Sequence, residues 1–193
     1  ISLGAGLKLT VAQQFNILGA ERVNIQAKSL MNGPPGTNVI NPITVNELEV
    51  VKKTDGVEIA AGRLIKRAIV DVDNKIYTTY IGSLPKDEKE RVWLNEVGNI
   101  GIAHGRALKS SDKYKVTIGS DYHEKDKFGK KINVGDTLTI QGKDFEVVGV
   151  HERKGAFTVD GVVAMNEEIV RELFDEPNNY GIIVAKANDV NKL

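Results

Sequence analysis

Several stretches of this sequence hold residue types that could do chemistry, and spacing decides each case. Gly33-Pro34-Pro35-Gly36-Thr37 has the opening of a phosphate-binding loop. That chemistry needs backbone amides to cradle phosphate, then a lysine for its charge and a hydroxyl for magnesium. Asn38-Val39-Ile40 follows instead, with no lysine, no hydroxyl and no helix pattern, so a Pro/Gly surface loop is the reading. Gly4-Ala5-Gly6 is half of a dinucleotide fingerprint and lies inside a helical pattern rather than after a strand. Ser120 misses the Gly-x-Ser-x-Gly nucleophile elbow, with Tyr122 where the second glycine belongs, and Asp121 cannot replace a histidine base. His123, Glu124 and Asp126 are metal-ligand types in a lysine-rich turn. His151-Glu152 lacks the second histidine of a zinc-protease helix and ends a strand pattern, and His104 has no recognisable partner. The sequence therefore assigns no catalytic residue, no cofactor-binding residue, no cofactor and no metal ligand.

The elements that would position these residues follow from periodicity. Leu3, Leu7, Val11, Phe15 and Leu18 recur at four- and three-residue steps, which predicts a helix over residues 1–18 with one apolar stripe, closed by Gly19. Val23, Ile25 and Ala27 alternate with polar residues, the period of a half-buried strand. A three-proline loop spans Met31 to Ile43. Thr44 and Glu47 have capping-box spacing ahead of Leu48 and Val51, which predicts a short helix. Val57 to Val72 reads as one long strand, returning over Lys75 to Ile81 around Asp73-Asn74. Lys86 to Glu90 reads as a solvated charge run. Short strands follow at Tyr114–Ile118, Thr137–Gln141, Asp144–His151 and Gly161–Met165, then a helix capped by Asn166 through Phe174, and a buried strand at Ile182–Ala185. The last strand returns to the opening unit in this reading, which makes the β-rich middle an insertion.

Composition narrows the class. Lysine plus arginine number 26 against 26 acidic residues, so no basic surplus exists to neutralise phosphates, and nucleic-acid binding is not indicated. The absence of cysteine removes disulfides, thiolate metal sites and cysteine nucleophiles. At 193 residues the chain can bury roughly 70% of the surface its unfolded form exposes, enough for a core without staples. The longest uncharged run, Ser29 to Asn46, is too rich in Asn, Pro and Gly to span a bilayer. The chain starts at Ile1 without a methionine, although methionine removal favours a small second residue. It reads as a piece of a longer protein.

A resemblance stands beside this reading. Ile1-Ser-Leu-Gly-Ala-Gly-Leu7, Gln14-Phe15-x-x-Leu18-Gly19-Ala20 and Val23-x-Ile25-Gln26 are similar to the segment leaving the first transmembrane helix of MacB-type ABC transporter permeases, the FtsX-like superfamily. Gly105-Arg106, Val116-x-Ile118-Gly119-Ser120-Asp121, Val134-Gly135-Asp136-Thr137-Leu138-x-Ile140 and Phe145-x-Val147-Val148-Gly149-Val150 continue it. Gly161-Val162-Val163-Ala164 and Leu173-Phe174 close it, in order. The resemblance implies an α+β fold with a mixed α/β porter-like subdomain, residues 1–84 plus 176–193, and an inserted β-rich subdomain, residues 85–175. It also implies an extracytoplasmic position between two membrane helices. The implied partners are a cytoplasmic ATP-binding subunit, a second permease copy, and an extracytoplasmic partner or cargo.

Three functions are then in play. The first is a non-catalytic permease domain that passes ATP-driven membrane motion outward. Its helix of residues 1–18, about 27 Å long at 1.5 Å per residue, is anchored by Leu3, Leu7, Val11, Phe15 and Leu18, a stripe whose plainer use is core packing. The second is a cell-surface ligand- or partner-binding module using the loops Met31–Ile43 and Tyr122–Ile132, which match no family pattern. The third, ranked last, is a hydrolase whose site the sequence does not reveal.

Overall fold

The computed structural model describes residues 22–26, 34–37, 39–124 and 126–187. The helix expected over residues 1–18 lies outside them. The chain divides into two compact units, Ile1–Gly62 with Asn178–Leu193, and Arg63–Pro177. Each mixes helices and strands in an α+β architecture.

In the first unit, β1 (Arg22–Gln26), β12 (Ile182–Ala187) and β3 (Val57–Arg63) form a three-stranded sheet in the order β1-β12-β3. β1 and β12 are antiparallel, with Arg22 opposite Lys186 and Gln26 opposite Ile182. The central strand carries the apolar run Ile182-Ile183-Val184-Ala185, all buried, as a strand covered on both faces requires. A two-residue ladder joins β2 (Ile43–Thr44) to β11 (Asn179–Tyr180). Helix α1 (Val45–Lys52) starts on the expected capping box: the Thr44 side chain accepts from the Glu47 amide and the Glu47 carboxylate accepts from the Thr44 amide.

The second unit is a barrel. Its strands are β4 (Ile65–Val72), β5 (Lys75–Leu84), β6 (Ile102–Gly105), β7 (Lys115–Ile118), β8 (Thr137–Ile140), β9 (Lys143–His151) and β10 (Val162–Asn166). The ladder runs β9-β7-β10-β5-β4-β8, and β8 pairs back onto β9, so the sheet closes, with β6 as an extra strand on β9. The β10–β5 and β7–β9 pairs are parallel, whereas β4–β5, β4–β8, β8–β9 and β7–β10 are antiparallel. Long β9 serves both of its ring neighbours, Lys143 to Glu146 pairing with β8 and Glu146 to Val150 with β7, and its end pairs with β6. Closure leaves no edge in the ring and fills its interior with side chains from alternate positions. Val70, Ile81, Val116, Ile118, Leu138, Ile140, Phe145, Val147, Val163 and Met165 are all fully buried. Four short helices decorate the unit: α2 (Glu88–Val97), α3 (Ser120–Glu124), α4 (Phe157–Asp160) and α5 (Glu167–Phe174).

Three expectations shift. Val57–Val72 is two strands, not one. The chain changes sheets at buried Leu64, whose amide donates to the Ser83 hydroxyl (2.8 Å) and whose carbonyl accepts from the Ser83 amide (2.9 Å). The hairpin Ile65–Leu84 belongs to the barrel, because β4 pairs with β8 and β5 with β10, so the first boundary falls at Gly62/Arg63 rather than at residue 84. The second falls at Pro177/Asn178. Finally, the charge run opens helix α2: the Asp87 carboxylate accepts from the Glu90 amide (3.0 Å) while residues 86–89 stay exposed.

Candidate functional site

The stripe Leu3, Leu7, Val11, Phe15 and Leu18 lies outside the described residues. Gly4-Ala5-Gly6 lies outside them too, and the remaining residues singled out by type fall into three places.

The phosphate-loop glycine has a packing role. Gly36 takes a left-handed conformation, φ +83°, and a Cβ there would stand 2.8 Å from the Gly181 carbonyl carbon. The Thr37 hydroxyl donates to the Pro34 carbonyl at 2.8 Å rather than facing a ligand. Glycine is needed because two backbones meet there.

Ser120 and His151 do not form a nucleophile–base pair. His151 Nε2 is engaged by the Thr117 hydroxyl at 2.9 Å, Nδ1 has no partner, and the Ser120 hydroxyl is buried without one. Burial first, and the Arg63 charge second, push His151 down to about 4, with Asp160 opposing, so the ring is neutral at pH 7. Asp160, the carboxylate a triad would need, instead accepts from the amides of Lys154 (2.9 Å) and Gly155 (2.7 Å) and holds that turn. Tyr122 is pushed up to about 12, mainly by burial; its hydroxyl bonds Thr79 and donates to the Gly161 carbonyl at 2.7 Å. Its ring stacks on Phe128 at 4.7 Å between centroids, and Phe128 and Ile132 are buried with it. Tyr122, Phe128 and Ile132 thus anchor this segment in the core, while Glu124, Asp126 and Gly129 to Lys131 stay exposed.

The expected metal-ligand types are dispersed. Glu152 pairs with Lys154 at 2.8 Å and Glu124 with Arg153 at 2.8 Å. Among the described residues no three His, Asp or Glu side chains converge. His104 does gain a partner, the ring of His123, 4.8 Å away between centroids.

The densest polar construction was not anticipated from the sequence. Arg91, 3% exposed on α2, donates to the Leu108 carbonyl (3.3 Å) and to Asn166 Oδ1 (2.7 Å). The Asn166 amide nitrogen faces the carbonyls of Lys109, Ser110 and Asp112 at 2.8, 3.3 and 2.5 Å. Asp112 closes the loop on Arg106 with two bonds of 2.7 and 3.1 Å, and that charged hydrogen bond holds its carboxyl below the usual range. The segment Arg106–Asp112 is thereby clamped against the barrel, with Leu108 packed among Leu84, Val148 and Ala164. Asn166 has the extended backbone of a helix cap but makes no cap bond, since its side chain is spent here. Only the three-residue step from Arg91 to Leu94 on one helix face hinted at a buried arginine.

These contacts brace one flank of the barrel, and the comparisons with known proteins say which family carries it. Residues 1–192 match the model of the MacB-like periplasmic core domain. The chain belongs to this family, as an extracytoplasmic domain of a MacB-type ABC transporter permease. It is 24% identical over 197 residues to an uncharacterised ABC transporter permease of Methanocaldococcus jannaschii, covering 100% of this chain and 47% of that protein; it therefore spans about half of that relative's length. Its fold is similar to the periplasmic region of MacB from Actinobacillus actinomycetemcomitans: TM-score 0.65, 16% identity, 90% of this chain and 77% of that one. It is likewise similar to the extracellular domain of the noncanonic ABC-type transporter YknZ from Gram-positive bacteria: TM-score 0.63, 16% identity, 88% and 86% covered. No helix among the described residues is long and apolar enough to cross a membrane.

Proposed function

We propose that this domain does no chemistry of its own and passes ATP-driven motion of the membrane helices to work outside the cytoplasm. ATP is bound and hydrolysed, in this reading, by a separate cytoplasmic subunit, and a second permease copy completes the transporter. An extracytoplasmic partner or cargo receives the motion. The observation that carries the proposal is the closed barrel with its buried Arg91–Asn166 clamp, inserted at one place in the first unit. The chain leaves that unit after Gly62 and re-enters it at Asn178, and a Cβ on Gly62 would stand 2.6 Å from the Tyr180 ring, so exit and return lie together. A body with no open ring edge and a braced flank resists deformation, which a transmitted displacement requires.

The amphipathic stripe of residues 1–18 supplies the connecting lever, with Leu3, Leu7, Val11, Phe15 and Leu18 anchoring it. Proline at Val11 breaks such a helix at a cost of about 3 kcal/mol, glycine at about 1. In the parent permease, reconstituted with its ATPase, Val11→Pro is expected to abolish transport while ATP hydrolysis persists, and Val11→Gly to weaken it. Normal transport by a folded, membrane-inserted Val11→Pro variant overturns the lever.

A further inference from the structure

We propose that His104 and His123 form a two-imidazole site for a divalent first-row transition ion, copper or zinc, on the barrel surface. His104 lies exposed on β6 opposite Val150, and His123 on α3; 19 positions of sequence separate them, yet their rings stand 4.8 Å apart at 50°. Two aromatic rings can meet in this way merely by packing. The orientation of His123 argues for more. Its Nδ1 lies 3.0 Å from the Ile132 carbonyl oxygen, and a carbonyl only accepts. In the neutral ring the proton therefore sits on Nδ1 and the lone pair on Nε2. A carbonyl fixing one nitrogen and aiming the other is how metal-binding histidines are commonly held.

The partner ring is free to adapt. Among the described residues His104 makes no hydrogen bond through its side chain, so its torsions can rotate a nitrogen toward the shared ion. Two imidazole nitrogens on one tetrahedral ion, each about 2.0–2.1 Å from it, stand about 3.3 Å apart. Rings with centroids 4.8 Å apart are compatible with that spacing. The donor set selects the ion class: imidazole suits copper, zinc and nickel, whereas calcium and magnesium need oxygen ligands. No third His, Asp or Glu converges there among the described residues, so the remaining positions fall to water and the ion is exchangeable rather than structural.

The test is calorimetric titration of the 193-residue chain, free of any added histidine tag, with ZnCl2 and separately CuCl2. The expected result is one ion per chain, bound more tightly by copper than zinc in line with the general order of affinities. His104→Ala and His123→Ala should each weaken binding roughly tenfold or more. Melting points should rise with added zinc in the parent chain and not in either variant. His104→Ala removes an exposed side chain, so it tests the site even where His123→Ala loses its carbonyl contact and unfolds. Binding equal to the parent in His104→Ala, or no saturable binding by the parent, overturns the site.

Discussion

The three-stranded unit and the barrel solve the same problem differently. In the first, β1 and β3 flank β12, so among the described residues the sheet ends in two edges, and a small ladder with a glycine–glycine approach ties the flanking loop to it. In the second, β8 returns to β9 and every strand of the ring is paired on both sides. An open sheet can gain or exchange a strand; a closed ring cannot without unfolding. The barrel combines fully buried apolar packing with the Arg91–Asn166 clamp, and both units use glycine where backbones meet: Gly36 against Gly181 in the first, Gly119 and Gly149 against the Asp160 and Arg106 carbonyls in the second.

Phe145→Ala should break that contrast most strongly. Phe145 is fully buried in the barrel, and its removal costs about 3–5 kcal/mol, read from denaturant melts. Hydrogen exchange should show protection lost throughout β4 to β10 and retained in β12. Gly181→Ala is the converse, because its Cβ would stand 2.1 Å from the Gly36 carbonyl oxygen; protection should fall in β12 and survive in β5 and β9. A Phe145→Ala melt within 1 kcal/mol of the parent would show that the ring is not packed as described.

Next in size is a pH effect confined to the barrel. His151 titrates near 4 when folded and near 6.5 when unfolded. The unfolded chain therefore binds the extra proton between those values, and stability rises with pH across the window. This contribution is fully present above pH 6.5 and is lost as pH falls toward 4, about 3 kcal/mol in all. Comparing the parent with His151→Gln over pH 7 to 4 should show the variant's slope flatter by up to about 1.4 kcal/mol per pH unit. Parallel slopes would mean the folded ring is already protonated or solvated.

The sequence revealed local structure wherever one rule governed it. The Thr44–Glu47 capping box and the strands about β7 to β10 were legible because the turn and cap signals were unopposed. Asp73 and Asn74, both with positive φ (54° and 61°), supply the hairpin turn expected of them. What escaped was set by distant partners. Nothing local in Val57–Val72 marks Leu64 as the sheet change, because Ser83 makes it one from 19 residues away. The charges of residues 86–90 hid helix α2, whose buried face carries an arginine rather than a full apolar stripe. His104 and His123 could not be paired without the β6–β9 register and the placement of α3.

The smallest of the expected effects sharpens the comparison at its polar point. Asn166→Ala removes the acceptor from Arg91 and the donor from three loop carbonyls at once, while leaving the apolar ring untouched. Hydrogen bonds to a charged, buried group are worth about 1.5–3 kcal/mol; the Lys109 carbonyl keeps the Asp112 amide and that of exposed Ser110 can turn to water, so a loss of about 2 kcal/mol is expected. The informative reading is where exchange protection goes. Burial already pulls the Arg91 guanidinium below its ordinary value, so an arginine stripped of Asn166 keeps the Leu108 carbonyl and the 3.8 Å ion pair with Glu88 and gains water by opening of the Arg106–Asp112 segment. Protection should therefore fall at the amides of Arg106, Lys109 and Asp112, which now bond Val148, Asp112 and Lys109, and persist at Val147 and Gly119 within the ring. Substituting the exposed pair Lys86–Glu168 should change neither stability nor exchange measurably, since solvent screens it. If Asn166→Ala behaved like Lys86→Ala, the barrel would owe its rigidity to closure alone, and the clamp would be an ornament of its surface.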